Sequence, residues 1–139
     1  MNFKHIEVEK QDGVAIVYLN RPPVNAQNAE LRAELIGAFD AFNDDDDVRC
    51  IVLTGRGDVF SAGADISERP AIKKRGPGAY WNHNRLVREA SLSIADCSKP
   101  VIAAVNGPAI GAGFGLMAAC DIWICSDNAY VSMPEINVG

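Results

Sequence analysis

At 139 residues and 48% hydrophobic content, the chain has the length of one domain and enough apolar residues for a single buried core. Its 13 basic residues against 18 acidic ones leave a net charge of −5, so there is no broad basic face for a nucleic-acid backbone and nucleic acid is not expected as a partner. No stretch approaches the ~18 uncharged apolar residues of a membrane span, so no membrane partner is expected either.

In chain order, His5-Ile6-Glu7-Val8-Glu9-Lys10 alternates polar and apolar residues, Asp12-Gly13 is a tight-turn pair, and Val14 to Leu19 is a second β-rich run. A β-hairpin is expected there. The N-terminus runs straight into this hairpin without a secretory leader. Cys50, Cys97, Cys120 and Cys125 form no Cys-x-x-Cys pair, so they read as reduced, buried packing residues of a cytoplasmic protein. Arg21-Pro22-Pro23 ends the hairpin. Asn28 is placed to cap a helix with Leu31, Leu35, Phe39 and Phe42 on its apolar stripe and Arg32, Glu34 and Asp40 outside it.

Asp44-Asp45-Asp46-Asp47 reads as a solvated turn, since calcium loops space their ligands around a glycine that is absent here. Cys50 to Leu53 is a continuous apolar run suited to a strand buried on both faces. Residues Ser67 to Ala79 hold Pro70, Gly76, Pro77 and Gly78 among Arg69, Lys73, Lys74 and Arg75, which predicts a mobile surface loop whose cations suit the phosphates of a large anionic ligand. A helix from Tyr80 to about Ser98 carries Leu86, Ala90, Ile94 and Cys97 on one stripe, and Val101 to Val105 is another buried strand. Phe114 to Cys120 has no polar face and predicts an interior helix. Asp121 to Ser126 and Ala129 to Ser132 are two further strand candidates, and the alternation of strands with helices gives an α/β class.

Two glycine-rich turns follow β-branched runs: Ser61-Ala62-Gly63-Ala64-Asp65-Ile66, and Asn106-Gly107 through Gly111-Ala112-Gly113-Phe114-Gly115-Leu116. The spacing is not Gly-x-Gly-x-x-Gly and no Gly-Lys-Ser/Thr occurs, which argues against a nucleotide site. Turns of this kind can instead aim two backbone N–H groups into a shared cleft, which is what a thioester oxygen requires as it becomes an enolate. Glu135 lies downstream as a carboxylate able to move protons. His5 and His83 lack metal-ligand spacing and read as surface or satisfied histidines, no metal is expected, and Ser61 has no His/Asp signature that would make it a nucleophile.

The segments Leu19-Asn20-Arg21-Pro22, Phe60 to Ile66, Asn106 to Leu116, Cys120-Asp121-Ile122 and Pro134-Glu135-Ile136-Asn137-Val138-Gly139, in that order, closely resemble the crotonase, or enoyl-CoA hydratase/isomerase, family across almost the whole chain. The resemblance implies a crotonase-like α/β fold of the ββα-spiral type, with residues 1–139 as its catalytic core. It implies that the amides of Ala64 and Ala112 hold the thioester oxygen, and that Val24, Ala26, Ala62, Asp65 and Ile66 line a coenzyme A channel. Coenzyme A would enter as part of the substrate, with no permanently bound cofactor. Position 112 is often glycine in the family; alanine keeps the N–H but narrows the backbone angles open to it.

Hydratases of this family use two glutamates, and Gly115 stands here at one of those positions. One carboxylate suffices for double-bond isomerisation, while hydration, a hydroxycinnamoyl-CoA-type hydratase-lyase reaction and an inactive acyl-CoA-binding homologue stay open. Family members are usually nearly twice as long. The resemblance therefore implies that this chain lacks the helices used for trimer formation, so the family's homo-trimer or hexamer is not expected of it.

Overall fold

The computed structural model describes residues 2–138. The chain opens with the expected hairpin: β1 (Ile6–Gln11) and β2 (Val14–Leu19) pair antiparallel from Ile6 opposite Leu19 to Gln11 opposite Val14. Asp12 and Gly13 both have positive φ, 53° and 84°, the conformation that a two-residue turn needs to match the twist of its strands. Helix α1 (Ala29–Asn43) begins where Asn28 accepts a hydrogen bond from the Leu31 amide. Strand β3 (Cys50–Gly55) then returns parallel to β2, and β4 (Val101–Val105) lies parallel to β3. With β6 (Ile122–Cys125) added parallel to β4, the main sheet has the order β1-β2-β3-β4-β6.

The core is built from alternate residues of these strands, including Ala15, Val17, Leu19, Ile51, Leu53, Val101 and Ala103, and from Leu31, Leu35 and Phe39 of α1. Arg32 departs from expectation. It is fully buried, at 0% exposure, although the apolar stripe of α1 excludes it. Helix α1 packs against α3 (Pro77–Ala95), and this second neighbour widens its buried face beyond the stripe that faces the sheet.

The segment 67–79 is helical, not a loop. A 3-10 turn (Ile66–Glu68) leads into α2 (Arg69–Arg75), which runs directly into α3. Pro70 and Pro77 sit in the first turns of their helices, where a missing N–H costs nothing, and Gly76 with φ 91° ends one helix and opens the next. Residues that read as breakers are therefore end signals. The cysteines also differ from expectation. Cys120 is buried and Cys50 and Cys97 are half-buried, but Cys125 is exposed, because β6 is an edge strand exposed along its whole length.

A second small sheet decides the geometry of the site. Strand β5 (Ala109–Ile110) pairs parallel with β7 (Val131–Ser132), with Ile110 opposite Ser132. Helix α4 (Ala112–Ala118) follows β5, burying Gly113, Leu116 and Met117, and a 3-10 turn (Pro134–Asn137) follows β7. No helix is long and apolar enough to cross a membrane among the described residues.

Candidate active site

Both glycine turns follow the carboxyl ends of neighbouring parallel strands, β3 and β4, and so emerge at the same end of the sheet. The first is held by polar groups that the sheet cannot satisfy. Asn25, buried, donates from Nδ2 to the carbonyls of Arg56 (3.1 Å) and Val59 (2.8 Å), while its Oδ1 accepts from the Arg21 amide (3.0 Å). Ser61, also buried, donates from Oγ to the Asn25 carbonyl (2.8 Å) and accepts from Gln27 Nε2 and the Gly63 amide (3.2 Å each). Its hydroxyl is spent on shaping the turn, in agreement with a non-nucleophilic serine.

Ala64 pairs with Gln27, but the bonds run from the Gln27 amide to the Gly63 carbonyl and from the Asp65 amide to the Gln27 carbonyl. The Ala64 amide itself makes no hydrogen bond among the described residues. In the second turn the Ile110 amide donates to the Ser61 carbonyl (2.9 Å), tying the two turns together. Ala112 opens α4, and its amide likewise makes no hydrogen bond among the described residues. A Cβ on Gly63, whose φ is 90°, would stand 3.3 Å from the Ala112 nitrogen. The first turn therefore runs close to the backbone of Ile110 and Ala112, with the Ile110 carbonyl the nearest group to that position.

Glu135 arrives through the small sheet. The Gly111 amide donates to the Ser132 carbonyl (2.8 Å), and the turn that follows β7 folds Glu135 back over Gly111. A Cβ on Gly111 would lie 3.2 Å from the Glu135 carboxyl carbon and 3.3 Å from Oε2, and would collide with Oε1. Gly111 also has φ 53°, so both space and conformation call for glycine there. Glu135 then lines a cleft of about 850 Å³ with Ile72, Tyr80, His83, Asn84 and Val138, and Arg69 and Lys73 of α2 reach the same space.

The residues read as lining a coenzyme A channel flank the first turn. The Val24 carbonyl accepts from the Ala62 amide (2.9 Å), and the Ala26 carbonyl accepts from Arg21 Nη1 (2.9 Å). Asp65 accepts from Ser67 Oγ (2.6 Å) and from Arg21 Nη2 (2.7 Å), while Ile66 is 69% exposed. The Ser67 hydroxyl first, and Arg21 after it, hold the Asp65 carboxyl below the usual carboxylate range. Arg21 thus joins two of the predicted channel residues. The Asn-Arg-Pro motif was its only sequence signal.

Two features near the cleft escaped sequence reading. Arg32 makes no side-chain hydrogen bond with any described residue, and burial lowers its pKa against the pull of Glu68 and Asp65. His83 is half-buried rather than a surface group, and no described residue hydrogen-bonds to its ring. Burial, then Arg32, lowers its pKa. Among the described residues no group of three or more His, Cys, Asp or Glu is placed to hold a metal ion.

The chain is 42% identical over 137 residues to 4-chlorobenzoyl coenzyme A dehalogenase-2 of an Arthrobacter species, covering 97% of this chain and 50% of that protein. It is 39% identical over 144 residues to crotonyl-CoA hydratase of Syntrophomonas wolfei, covering 100% of this chain and 53% of that one. A crystal structure of a putative enoyl-CoA hydratase/isomerase from Legionella pneumophila superposes with a TM-score of 0.91 at 34% identity, covering 99% of this chain and 54% of that one. The chain spans about half the length of the curated relatives it matches. The profile of the enoyl-CoA hydratase/isomerase family matches residues 9–139, and with both turns and Glu135 in one place, the chain belongs to that family.

Proposed function

We propose that the chain forms the enolate-stabilising part of an enzyme acting on acyl-CoA thioesters, with the amides of Ala64 and Ala112 holding the thioester oxygen and Glu135 moving the proton. One observation carries this reading. The Glu135 carboxylate rests on Gly111, next to an Ala112 amide that has no acceptor among the described residues and lies close to the Gly63 turn. In a cleft that excludes water, each preorganised donor at such an oxygen contributes ~2.7–4 kcal/mol to the transition state. Coenzyme A would lie along Val24, Ala26, Ala62, Asp65 and Ile66, and Arg69 and Lys73 suit its phosphates. The free thiols of the four cysteines support a cytoplasmic location within the same reading.

The reaction that fits is double-bond isomerisation. Glu135 is the one carboxylate among the described residues lining the cleft, and position 115 of α4 is glycine. Its carboxylate takes a proton from C2 of a 3-enoyl thioester as the electrons move to the thioester oxygen. The same carboxyl then returns the proton at C4, leaving the double bond between C2 and C3 with no atom gained or lost. Relatives of similar identity carry the names of a dehalogenase and a hydratase, so kinship alone does not select the reaction.

The test is Glu135→Gln. Turnover of 3-enoyl-CoA is expected to fall by ~10²–10⁴-fold while calorimetry still detects acyl-CoA binding, since only the proton carrier is lost. Undiminished turnover would remove Glu135 from the mechanism. Product analysis by mass decides between isomerisation and hydration, because water adds mass only in the second.

A further inference from the structure

Helix α3 carries Tyr80, His83 and Asn84 at i, i+3 and i+4, and all three line the cleft that holds Glu135. His83 is set apart from its neighbours by where it stands. With Ile72 it forms the partition between that cleft and a second cavity of about 170 Å³, which Glu68, Ala71 and Leu86 help to enclose. The other histidine, His5, is engaged through Nε2 by Glu30 (2.9 Å) and Asn28 (3.4 Å). The ring of His83 is half-buried and has no such partner among the described residues.

The charged groups around His83 are Arg32 from α1, Glu68 from the 3-10 turn, Arg69 from α2 and Glu135 across the cleft, with Lys73 on the same cleft and Arg75 on the smaller cavity. Burial and the two guanidinium groups outweigh Glu68, so the ring stands neutral, with one nitrogen as donor and the other as acceptor. A purely hydrocarbon acyl group pressed against it would strip water from both nitrogens and replace none of the lost bonds. An oxygen at that point would restore one.

We propose that His83 is a specificity-determining residue of the cleft, hydrogen-bonding an oxygen that the acyl group carries beyond its reacting carbons, so that hydroxyl-bearing acyl thioesters are taken in preference to plain alkyl ones. This rests on the acyl-CoA reading of the cleft. The shared position explains why one side chain can impose the choice: Ile72 and His83 line both cavities, so an acyl group that fills the larger one up to its boundary with the smaller meets them.

Calorimetric titration with ω-hydroxyacyl-CoA thioesters from 5-hydroxypentanoyl to 7-hydroxyheptanoyl, each paired with the methyl-ended thioester of equal heavy-atom count, tests the proposal. For at least one pair the hydroxyl form is expected to bind about fivefold tighter, the yield of one neutral hydrogen bond. In His83→Phe that preference should vanish or invert, and in His83→Gln, which still hydrogen-bonds, it should persist. The ratio within each pair is insensitive to a partly unfolded sample. Equal affinities in every pair for the unmodified chain, or a preference surviving in His83→Phe, would overturn the role of His83 while leaving the acyl-CoA reading intact. Failure of every thioester to bind would overturn both.

Discussion

Gly111 is where backbone conformation and chemistry meet most closely. Its φ of 53° with ψ −118° is a region other residues enter only with strain, and a Cβ there would intrude on the Glu135 carboxylate. Gly111→Ala is therefore expected to cost about 1–3 kcal/mol in urea denaturation. Because displacing a reacting group by about 1 Å is worth ~10²-fold in rate, turnover should fall by roughly that factor as well. A variant that kept both stability and rate would show that Glu135 is not seated against this turn. Arg32 makes the opposite point about legibility. Its neighbours Leu31 and Leu35 announce a buried face, yet nothing in the local pattern puts a guanidinium inside it. Tertiary packing does so, with α3 over α1 and Asp65 and Glu68 close by.

Among the elements, α1 shows how local chemistry sets a boundary. Asn28 Oδ1 accepts from the Leu31 amide at 2.9 Å, satisfying one of the donors that a helix start leaves unpaired. Asn28→Ala should cost ~1 kcal/mol of stability, read as a lower urea midpoint with an unchanged slope. No loss would mean that water caps the helix equally well. The hairpin, α1, β3 and β4 were legible because period and end signals agree over each. Helix α2 was not, since prolines and glycines at helix ends look like breakers when the helix between them spans seven residues. It buries no residue, so no apolar stripe was there to be read.

For the molecule as a whole, pH acts, among other groups, through His83 in the cleft and Asp65 at the end of the first glycine turn. Burial and Arg32 lower the pKa of His83 from 6.5, so below that value the unfolded chain takes up a proton that the folded one refuses. Stability should therefore begin to decline as pH falls through about 6.5 and go on declining toward the folded-state value. Asp65 behaves as a depressed acid: the stability it contributes is fully present above the ordinary aspartate value of 3.8 and is lost as pH falls through the lower value that Ser67 and Arg21 impose. Urea midpoints measured across this range should show two declines, the first absent in His83→Phe and the second reduced in Asp65→Asn. A single decline untouched by either variant would contradict the assignment. On the opposite scale of polarity, Ile122, Trp123 and Ile124 of edge strand β6 stand more than half exposed, with Tyr130, Val131 and Ile136 also open to solvent. A continuous apolar run predicts burial, but only the tertiary structure tells whether another layer packs over the faces of the strand.

By itself the sequence determined the elements with strong local signals, the two turns and the carboxylate, because capping, strand alternation and glycine chemistry act over a few residues. The tertiary structure alone decided that these parts meet. Glu135 reaches Gly111 through the pairing of β5 with β7, Arg32 is enclosed by a second helix, and His83 stands between two cavities. Each depends on contacts between residues far apart in the chain, whose register is set by the packing of the whole core rather than by any local pattern.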